Sequence, residues 1–435
     1  MKNIIKYLKT NVLIKIASLN SISVLIKILA GFLTSKFIAI FLGAEGLALV
    51  GNLRNFVSVA QSFSVLGLYN GVIKYVAQFK NNTAELTKTL STAYFSGVFA
   101  TIVVSILCYF NAETLSQHIF QEYYNFAYVI KIFAVALPFY ALNTLIFVIL
   151  NGLSKFKYLI FFNGVGQILG ASITILLIWQ RQLEGALIAV VTTEALLLLI
   201  TGIVVIKEKQ YLSYFKLSQF SFKVVKQLSS YSGMALFSAL LIPFVAISIR
   251  TYIIDTVSLE DAGMWEAITR ISKYYLMFVA SLLTLYVLPR FSEVTTDKGF
   301  RKEVFHFYKT IMPIFGLGLI LIYFLRHFIV QILFSKAFAP VEDLFLWQLL
   351  GDFVKVLSLV ISYQFLAKKM FWHYILTEAF SLIVLYFSSL YFIDYYGAKG
   401  ATIAHFVTYV LYYIVVLVVF STSLFGNKRE REVIE

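Results

Sequence analysis

Long uninterrupted apolar stretches recur along this chain, at about 12–41, 47–78, 85–110, 124–150, 157–180, 184–206, 225–253, 262–290, 301–327, 341–368, 371–394 and 399–421. Each can cross a bilayer, which takes about 20 residues as a helix. Apolar and polar positions do not alternate strictly within them, so the pattern predicts helices and excludes barrel strands. The expected fold is an all-α integral membrane protein with about twelve transmembrane helices. Several stretches are longer than one crossing needs and must tilt, kink or project beyond the bilayer. The opening MKNIIKYLKTNVLIK resembles the basic start of a signal peptide. The apolar stretch after it is too long, and no small-residue cleavage site closes it, so it reads as an uncleaved first span.

Lys and Arg in the connections set the orientation. With the N-terminus cytoplasmic, the inside segments hold twenty-two of them, from Lys2, Lys6, Lys9 and Lys15 to Lys428, Arg429 and Arg431. The outside connections hold only Arg181, Lys336 and Lys399. An odd number of spans would destroy this asymmetry, so both termini are expected inside. The same asymmetry accounts for most of the net charge of +14, and leaves no case for a nucleic-acid partner. The longest connection, 207–224, is short, basic and cytoplasmic, with no room for a soluble catalytic domain.

An internal repeat divides the chain. Gly185-Ala186-Leu187-Ile188-Ala189 opens span 6, and Gly400-Ala401-Thr402-Ile403-Ala404 opens span 12. Gly46 precedes Arg54 in span 2 as Gly263 precedes Arg270 in span 8. The step from Gly185 to Gly400 and the step from Arg54 to Arg270 differ by a single position. This shared offset implies two six-helix bundles of like orientation. The expected division is 1–206, a linker at 207–224, a second bundle at 225–421 and a cytoplasmic tail at 422–435.

Eleven basic residues fall inside spans: Lys27, Lys36, Arg54, Lys74, Lys131, Arg250, Arg270, Lys273, Lys309, Arg326 and Lys355. Each costs about 2.5–3.5 kcal/mol near the bilayer centre on insertion scales. Lys36, Lys131, Arg250, Lys309 and Arg326 lie close enough to span ends for their head groups to reach the interface. The others sit on polar stripes at helical spacing. Span 1 has Asn20, Ser23, Lys27, Gly31 and Thr34; span 8 has Glu266, Arg270, Lys273, Met277 and Thr284; span 10 has Gln348, Asp352, Lys355 and Ser362. Span 5 carries the uncharged set Asn163, Gln167, Gly170 and Thr174. Two readings compete. In one, Asp352 pairs with Lys355 and Glu266 with Arg270, locking helices together. In the other, the stripes line a hydrated cavity between the halves. Pairing accounts for the acids but not for Lys27, Arg54, Lys74 and Lys273, which favours the cavity. Its excess of positive charge suits an anion such as phosphate or diphosphate. Pro138, Pro243 and Pro313 lie in or near span interiors and permit bends, either static or used in motion.

Composition fits this picture. Hydrophobic residues make up 60% and charged residues 13%, with a mean hydropathy of +0.84. A soluble domain is nearer half apolar and a quarter charged. A single cysteine, Cys108, rules out a disulfide framework and a thiolate metal cluster. The histidines His118, His306, His327, His373 and His405 show no metal-ligand spacing, and no phosphate-binding glycine loop or catalytic triad is present, so neither a cofactor nor an enzymatic activity is expected. His405, inside span 12, reads as a hydrogen-bonded structural histidine, with proton coupling as the alternative.

Three segments carry a resemblance: Val24-Leu25-Ile26-Lys27-Ile28-Leu29-Ala30-Gly31, Asn70-Gly71-Val72-Ile73-Lys74-Tyr75-Val76-Ala77-Gln78 and Trp347-Gln348-Leu349-Leu350-Gly351-Asp352-Phe353-Val354-Lys355. The chain resembles Wzx-type polysaccharide flippases, in the MOP superfamily that also contains the MATE drug exporters, from span 1 to span 12. The resemblance implies a MATE-like pair of six-helix bundles in the bacterial inner membrane. It implies a substrate, an undecaprenyl-diphosphate-linked O-antigen or enterobacterial common antigen repeat unit, moved from the cytoplasmic to the periplasmic leaflet. It implies working partners in membrane lipid, a polysaccharide polymerase and a chain-length regulator. Family-like positions are Lys27, Arg54, Lys74, Pro243, Arg250, Gln348, Asp352, Lys355 and Glu378. Span 8 departs, with Glu266, Arg270 and Lys273 where a neutral-to-acidic stripe is expected; an added cation there answers an acidic sugar.

The expected substrate contacts are therefore Lys27, Arg54, Lys74, Arg270, Lys273 and Lys355, with Asp352, Glu266 and Glu378 as candidates for ion or proton coupling. Two other classes compete. A MATE-like exporter of drugs or metabolites favours an acidic cavity, and a membrane polymerase or ligase needs a substantial exposed loop for sugar chemistry.

Overall fold

The structure, a computed structural model, describes residues 12–120, 125–207 and 214–426; at 12–23, 70, 156, 204–207 and 285 it describes the backbone alone. The side chains of Asn20 and Ser23, and the tail beyond 426, lie outside the described residues. The described backbone is helical nearly throughout, because buried peptide groups in hydrocarbon find partners only within a helix or a closed barrel. Contacts divide the chain into two units, Met1–Ile247 and Ser248–Glu435.

The first unit contains α1 (Val12–Ser64), α2 (Tyr69–Phe79), α3 (Thr83–Phe110), α4 (Ala112–Phe120), α5 (Ala127–Gly152), α6 (Phe156–Lys207) and most of α7 (Phe222–Thr256). Its α1 and α6 are each twice the length of a single crossing and each contains a break, at Gly43 (φ 67, ψ −164) and Gln182 (φ 48, ψ −121). Each therefore supplies two spans. Val72, Val76, Leu86, Leu90, Ile149 and Leu228 form a core joining α2, α3, α5 and α7.

The second unit contains α8 (Leu259–Leu282), a π turn (Leu283–Val287), α9 (Leu288–Glu293), α10 (Asp297–Thr310), α11 (Met312–Phe324), α12 (Arg326–Leu333), a 3-10 segment (Lys336–Leu344), α13 (Phe345–Ala367), α14 (Phe371–Tyr396), α15 (Ala398–Val419) and α16 (Ser421–Phe425). Phe291, Phe300, Val360, Phe365, Val416 and Phe420 build its core. Polar side chains start the helices facing the loops: Ser258 Oγ accepts the Asp261 amide at 2.9 Å, and Thr296 Oγ1 the Gly299 amide at 3.2 Å.

Among the described residues nine stretches are long and apolar enough to cross a membrane. Two of these double back, and α8 to α9 spans the same length but carries too many charges to meet an apolar criterion. Counted in this way, the described residues hold the twelve crossings that the hydropathy pattern predicts. Two expected spans are interrupted. The stretch 47–78 breaks at Val65–Leu68, where Leu66 and Gly67 have φ of 53 and 59, and restarts as α2. The stretch 301–327 is divided before Pro313, which lacks the amide needed to continue α10. Pro138 and Pro243 lie inside α5 and α7.

The repeat has a structural counterpart. Gln182 and Gly397, separated by the same step as Gly185 and Gly400, both take a positive φ, at the heads of spans 6 and 12, with ψ −121 and −144. A Cβ on Gly185 would lie 1.9 Å from the Leu177 carbonyl oxygen, and one on Gly400 2.1 Å from that of Phe392. Leu177 and Phe392 are themselves separated by that step. The same tight helical hairpin is built twice.

Candidate functional site

In the first unit the charged residues lie on the two arms of α1. Lys27 is exposed on the first arm, and Arg54 is half-buried on the second, where Arg54, Ser58 and Gln61 share a face. Gln61 Nε2 donates to Glu194 Oε2 at 3.5 Å, and Lys27 acts on the same carboxylate through its charge. Glu194 is open to solvent. Lys74, exposed on α2, donates to the Tyr231 hydroxyl of α7 at 2.8 Å, with its Nζ 5.1 Å from that ring's centroid. The sequence reading missed Glu194 and Tyr231. The signal for Glu194 was there, an acid inside the apolar run of span 6 directly after Thr192-Thr193. An apolar cavity of about 320 Å³ near Val65, Gly97 and Pro138 lies apart from these groups and is lined by no charged residue.

In the second unit Glu266 sits between two arginines. Its Oε1 accepts from Arg270 Nε at 2.8 Å, the expected pair one turn apart, and its Oε2 meets Arg250 Nη2 in close contact. All three are buried, and the Arg250 guanidinium lies 5.3 Å from the Trp265 ring centroid. This corrects the expectation that Arg250 reaches the interface: it is 2% exposed and turned into the protein. Its carboxylate partner is on the next helix, and a buried charge is retained only with such a partner. Lys273, two turns beyond Glu266, is exposed.

Asp352 is fully buried and ties three helices together. From α8, Ser272 Oγ donates to it at 2.5 Å and the Tyr275 hydroxyl in a shorter contact; from its own α13, Gln348 Nε2 donates at 3.2 Å; from α15, His405 Nε2 lies 3.0 Å from its Oδ1. His405 reaches in because position 351 is glycine: a Cβ there would stand 2.4 Å from the imidazole Cδ2. The expected direct pairing of Asp352 with Lys355 is not how the two are held. Lys355 turns to the Tyr409 ring, with its Nζ 4.9 Å from the ring centroid, and Asp352 and Glu378 act on it electrostatically. The Tyr409 and His405 rings meet edge to face at 4.8 Å, so one continuous polar patch runs from Asp352 to Lys355.

The candidate residues thus form two groups in separate units: Lys27, Arg54 and Lys74 in the first, and Glu266, Arg270, Lys273, Asp352, Lys355 and Glu378 in the second. The chain as a whole is similar to known proteins. Residues 13–295 match the family described as polysaccharide biosynthesis protein. This chain belongs to that family. Over 396 residues, 90% of this chain and 94% of the relative, it is 29% identical to the lipid III flippase of Escherichia coli (strain K12). Among solved structures it is similar to the lipid II flippase MurJ in an inward closed conformation, with a TM-score of 0.71 and 16% identity over 94% of this chain and 88% of that one. It is similar also to the inward-facing conformation of a multidrug resistance MATE transporter of the MOP superfamily, with a TM-score of 0.70 and 12% identity over 91% and 94%. The family's chain therefore has the MATE-like fold, as a multi-pass membrane protein.

Proposed function

We propose that this protein is a flippase, not an enzyme, carrying an undecaprenyl-diphosphate-linked oligosaccharide, an O-antigen or enterobacterial common antigen repeat unit, across the bacterial inner membrane by alternating access. One observation carries the reading: accessible or half-buried cations, Lys27, Arg54, Lys74, Lys273 and Lys355, stand along membrane-crossing helices of a polysaccharide biosynthesis family member. A cation held at membrane depth is costly, and the natural compensation is an anionic ligand. Diphosphate offers several acceptor oxygens to lysine and arginine donors. The 29% identity to a lipid III flippase over nearly the whole chain supports a lipid-linked glycan.

In this reading Lys27, Arg54, Lys74, Lys273 and Lys355 contact the diphosphate and glycan, while Arg270, buried against Glu266, adds its charge from behind Lys273, the extra positive charge there answering an acidic sugar. Asp352, with His405 beside it, and Glu378 beside Lys355 are the coupling candidates, with Glu266 a third. Both termini and the linker at 207–224 are cytoplasmic, the bundles being 1–206 and 225–421. A polymerase and a chain-length regulator act on the product in the periplasm. A drug exporter of the same fold would need acids free to hold cations, whereas Glu266 and Asp352 are buried and already engaged by Arg250, Arg270 and His405.

Deletion of the gene tests this. The expected result is loss of a surface polysaccharide and accumulation of its lipid-linked repeat unit on the inner leaflet. Normal polysaccharide, with hypersensitivity to cationic drugs instead, would overturn it.

A further inference from the structure

The apolar groove of the first unit has no part in the reading above. It encloses about 320 Å³ between the α1–α2 junction, α3 and α5, and Val65, Leu68, Ala93, Gly97, Pro138 and Leu145 are among its lining. Three local features open it. The chain breaks at Val65–Leu68, where Leu66 and Gly67 take φ of 53 and 59. Pro138 removes a backbone hydrogen bond from α5. Gly97 contributes no side chain, and a Cβ there would have nothing within 4 Å. The break is also provided for: Thr101 Oγ1 of α3 donates to the Ser64 carbonyl at 2.9 Å, so that oxygen keeps a partner where the helix stops. The repeat shows that the fold does not require a groove here. Ser154 and Lys369, separated by the step from Gly185 to Gly400, both take a positive φ just after α5 and α13 end. These two helices are therefore in register, and Pro138 corresponds to Phe353. In the second unit the Phe353 ring stacks on Phe315 of α11 at 6.5 Å, and a Cβ on Gly316 would meet that ring at 3.2 Å. An aromatic pair packs the third crossing against the fourth in one unit, and a groove divides them in the other.

An apolar void costs stability in proportion to its size, so one that is packed in one unit and kept in the other points to an occupant from outside the chain. Ile102 on its wall and Phe99 before it are 51% and 71% exposed on a helix that crosses the membrane, so the groove opens on hydrocarbon. A cavity of about 150 Å³ holds a benzene ring, and by that measure this one holds roughly a dozen carbons, two or three isoprene units. Charge on the same element selects among the lipids present. The first turn of α2 lines the groove at Tyr69 and Val72, and the same helix carries Lys74 roughly 7 Å beyond Tyr69. In the proposed orientation that is the cytoplasmic direction, from which the cargo arrives. We propose that the groove holds the polyprenyl tail of the cargo, at the isoprene units nearest a diphosphate that meets Lys74. The first unit then recognises both ends of one amphiphile, and phospholipids that lack the diphosphate are held there less well. This deepens the flippase reading and rests on it.

The test uses the full-length protein in lipid nanodiscs with two photoactivatable probes. One is a farnesyl diphosphate bearing a diazirine in its prenyl chain, the other a phosphatidylglycerol bearing one in an acyl chain, and labelled residues are mapped by mass spectrometry. The prenyl probe is expected to label the groove, at 65–72, 93–102 and 138–148, about tenfold above the acyl probe. Equal labelling by the acyl probe overturns the choice of occupant. Gly97→Phe projects a ring into the groove and should cut its labelling about tenfold while labelling elsewhere stays the same, with Gly97→Ala cutting it less. Ala141→Phe blocks the groove from α5 and serves the same purpose where Gly97→Phe does not reach the membrane. Undiminished labelling of the groove in a folded, blocked variant overturns the proposal. Excess inorganic diphosphate separates the tail site from the wider reading. Groove labelling that it fails to reduce keeps the tail site and overturns the diphosphate contact at Lys74. Labelling that it displaces, but that falls outside the groove, overturns the tail site and leaves the flippase reading standing.

Discussion

Glu266 is held by Arg250 and Arg270 with all three side chains out of solvent, so Glu266→Ala leaves two buried guanidiniums without their carboxylate. Breaking a buried pair in this way costs about 3–5 kcal/mol. The expected outcome is a sharp fall in the apparent melting temperature in detergent and in the amount of protein in the membrane. Arg54 differs, being half-buried on the face that carries Ser58 and Gln61. Arg54→Ala is expected to abolish surface polysaccharide at unchanged protein level; normal polysaccharide would remove it from the site. The contrast shows how much of the site was legible. Glu266 with Arg270 could be read because a helix brings i and i+4 together. Arg250 could not, because its distance from Glu266 along the chain says nothing about which way the preceding helix turns it. Lys27 and Lys74 stand out in the sequence as charges inside spans, but Glu194 and Tyr231 lie far along the chain, and only folding brings them near.

At the level of elements, the crossings could be read from hydropathy because length and apolarity are what the bilayer demands of a helix. The breaks could not. Gly43 and Gly67 look like any other glycine in an apolar run, and nothing local marks Gln182 as the head of a hairpin. The repeat does mark it, since its counterpart is Gly397. A φ of 48 with ψ of −121 belongs to a region that is open to glycine and costs other residues about 1–3 kcal/mol. Gln182→Gly is therefore expected to raise stability by about 1 kcal/mol, measured as a higher melting temperature in detergent, with export unchanged. Gly400→Ala should do the opposite. Its Cβ would stand 2.1 Å from the Phe392 carbonyl oxygen, a backbone atom that cannot move aside. A loss of at least about 1–3 kcal/mol, the usual scale of overpacking, is expected. A silent Gly400→Ala would mean that α14 and α15 are joined less tightly than described.

For the molecule as a whole, charge links the sequence to the energetics of transport. The net charge of +14 is spread so that the connections assigned to the cytoplasm carry nearly all the surplus, the arrangement expected of a protein in an inside-negative membrane. The same potential acts on the proposed cargo. Each negative charge moved outward across it gains about 2.3 kcal/mol per 100 mV. The gain survives only if the charge is not cancelled by cations that travel with it. Lys27, Arg54 and Lys74 sit on helices of the first unit and Lys273 and Lys355 on helices of the second, so the protein's positive charge is part of the scaffold and is not released with the anion. On this argument the glycolipid crosses as a net anion and the potential is a direct driving force. In proteoliposomes loaded with the lipid-linked repeat unit, a potassium gradient with valinomycin sets an inside-negative potential without a proton gradient. Outward flipping should rise with that potential and fall when potassium is equalised. A rate that ignores the potential and follows an imposed pH gradient would transfer the driving role to the proton, and with it to the buried pair of Asp352 and His405, which lie 3.0 Å apart.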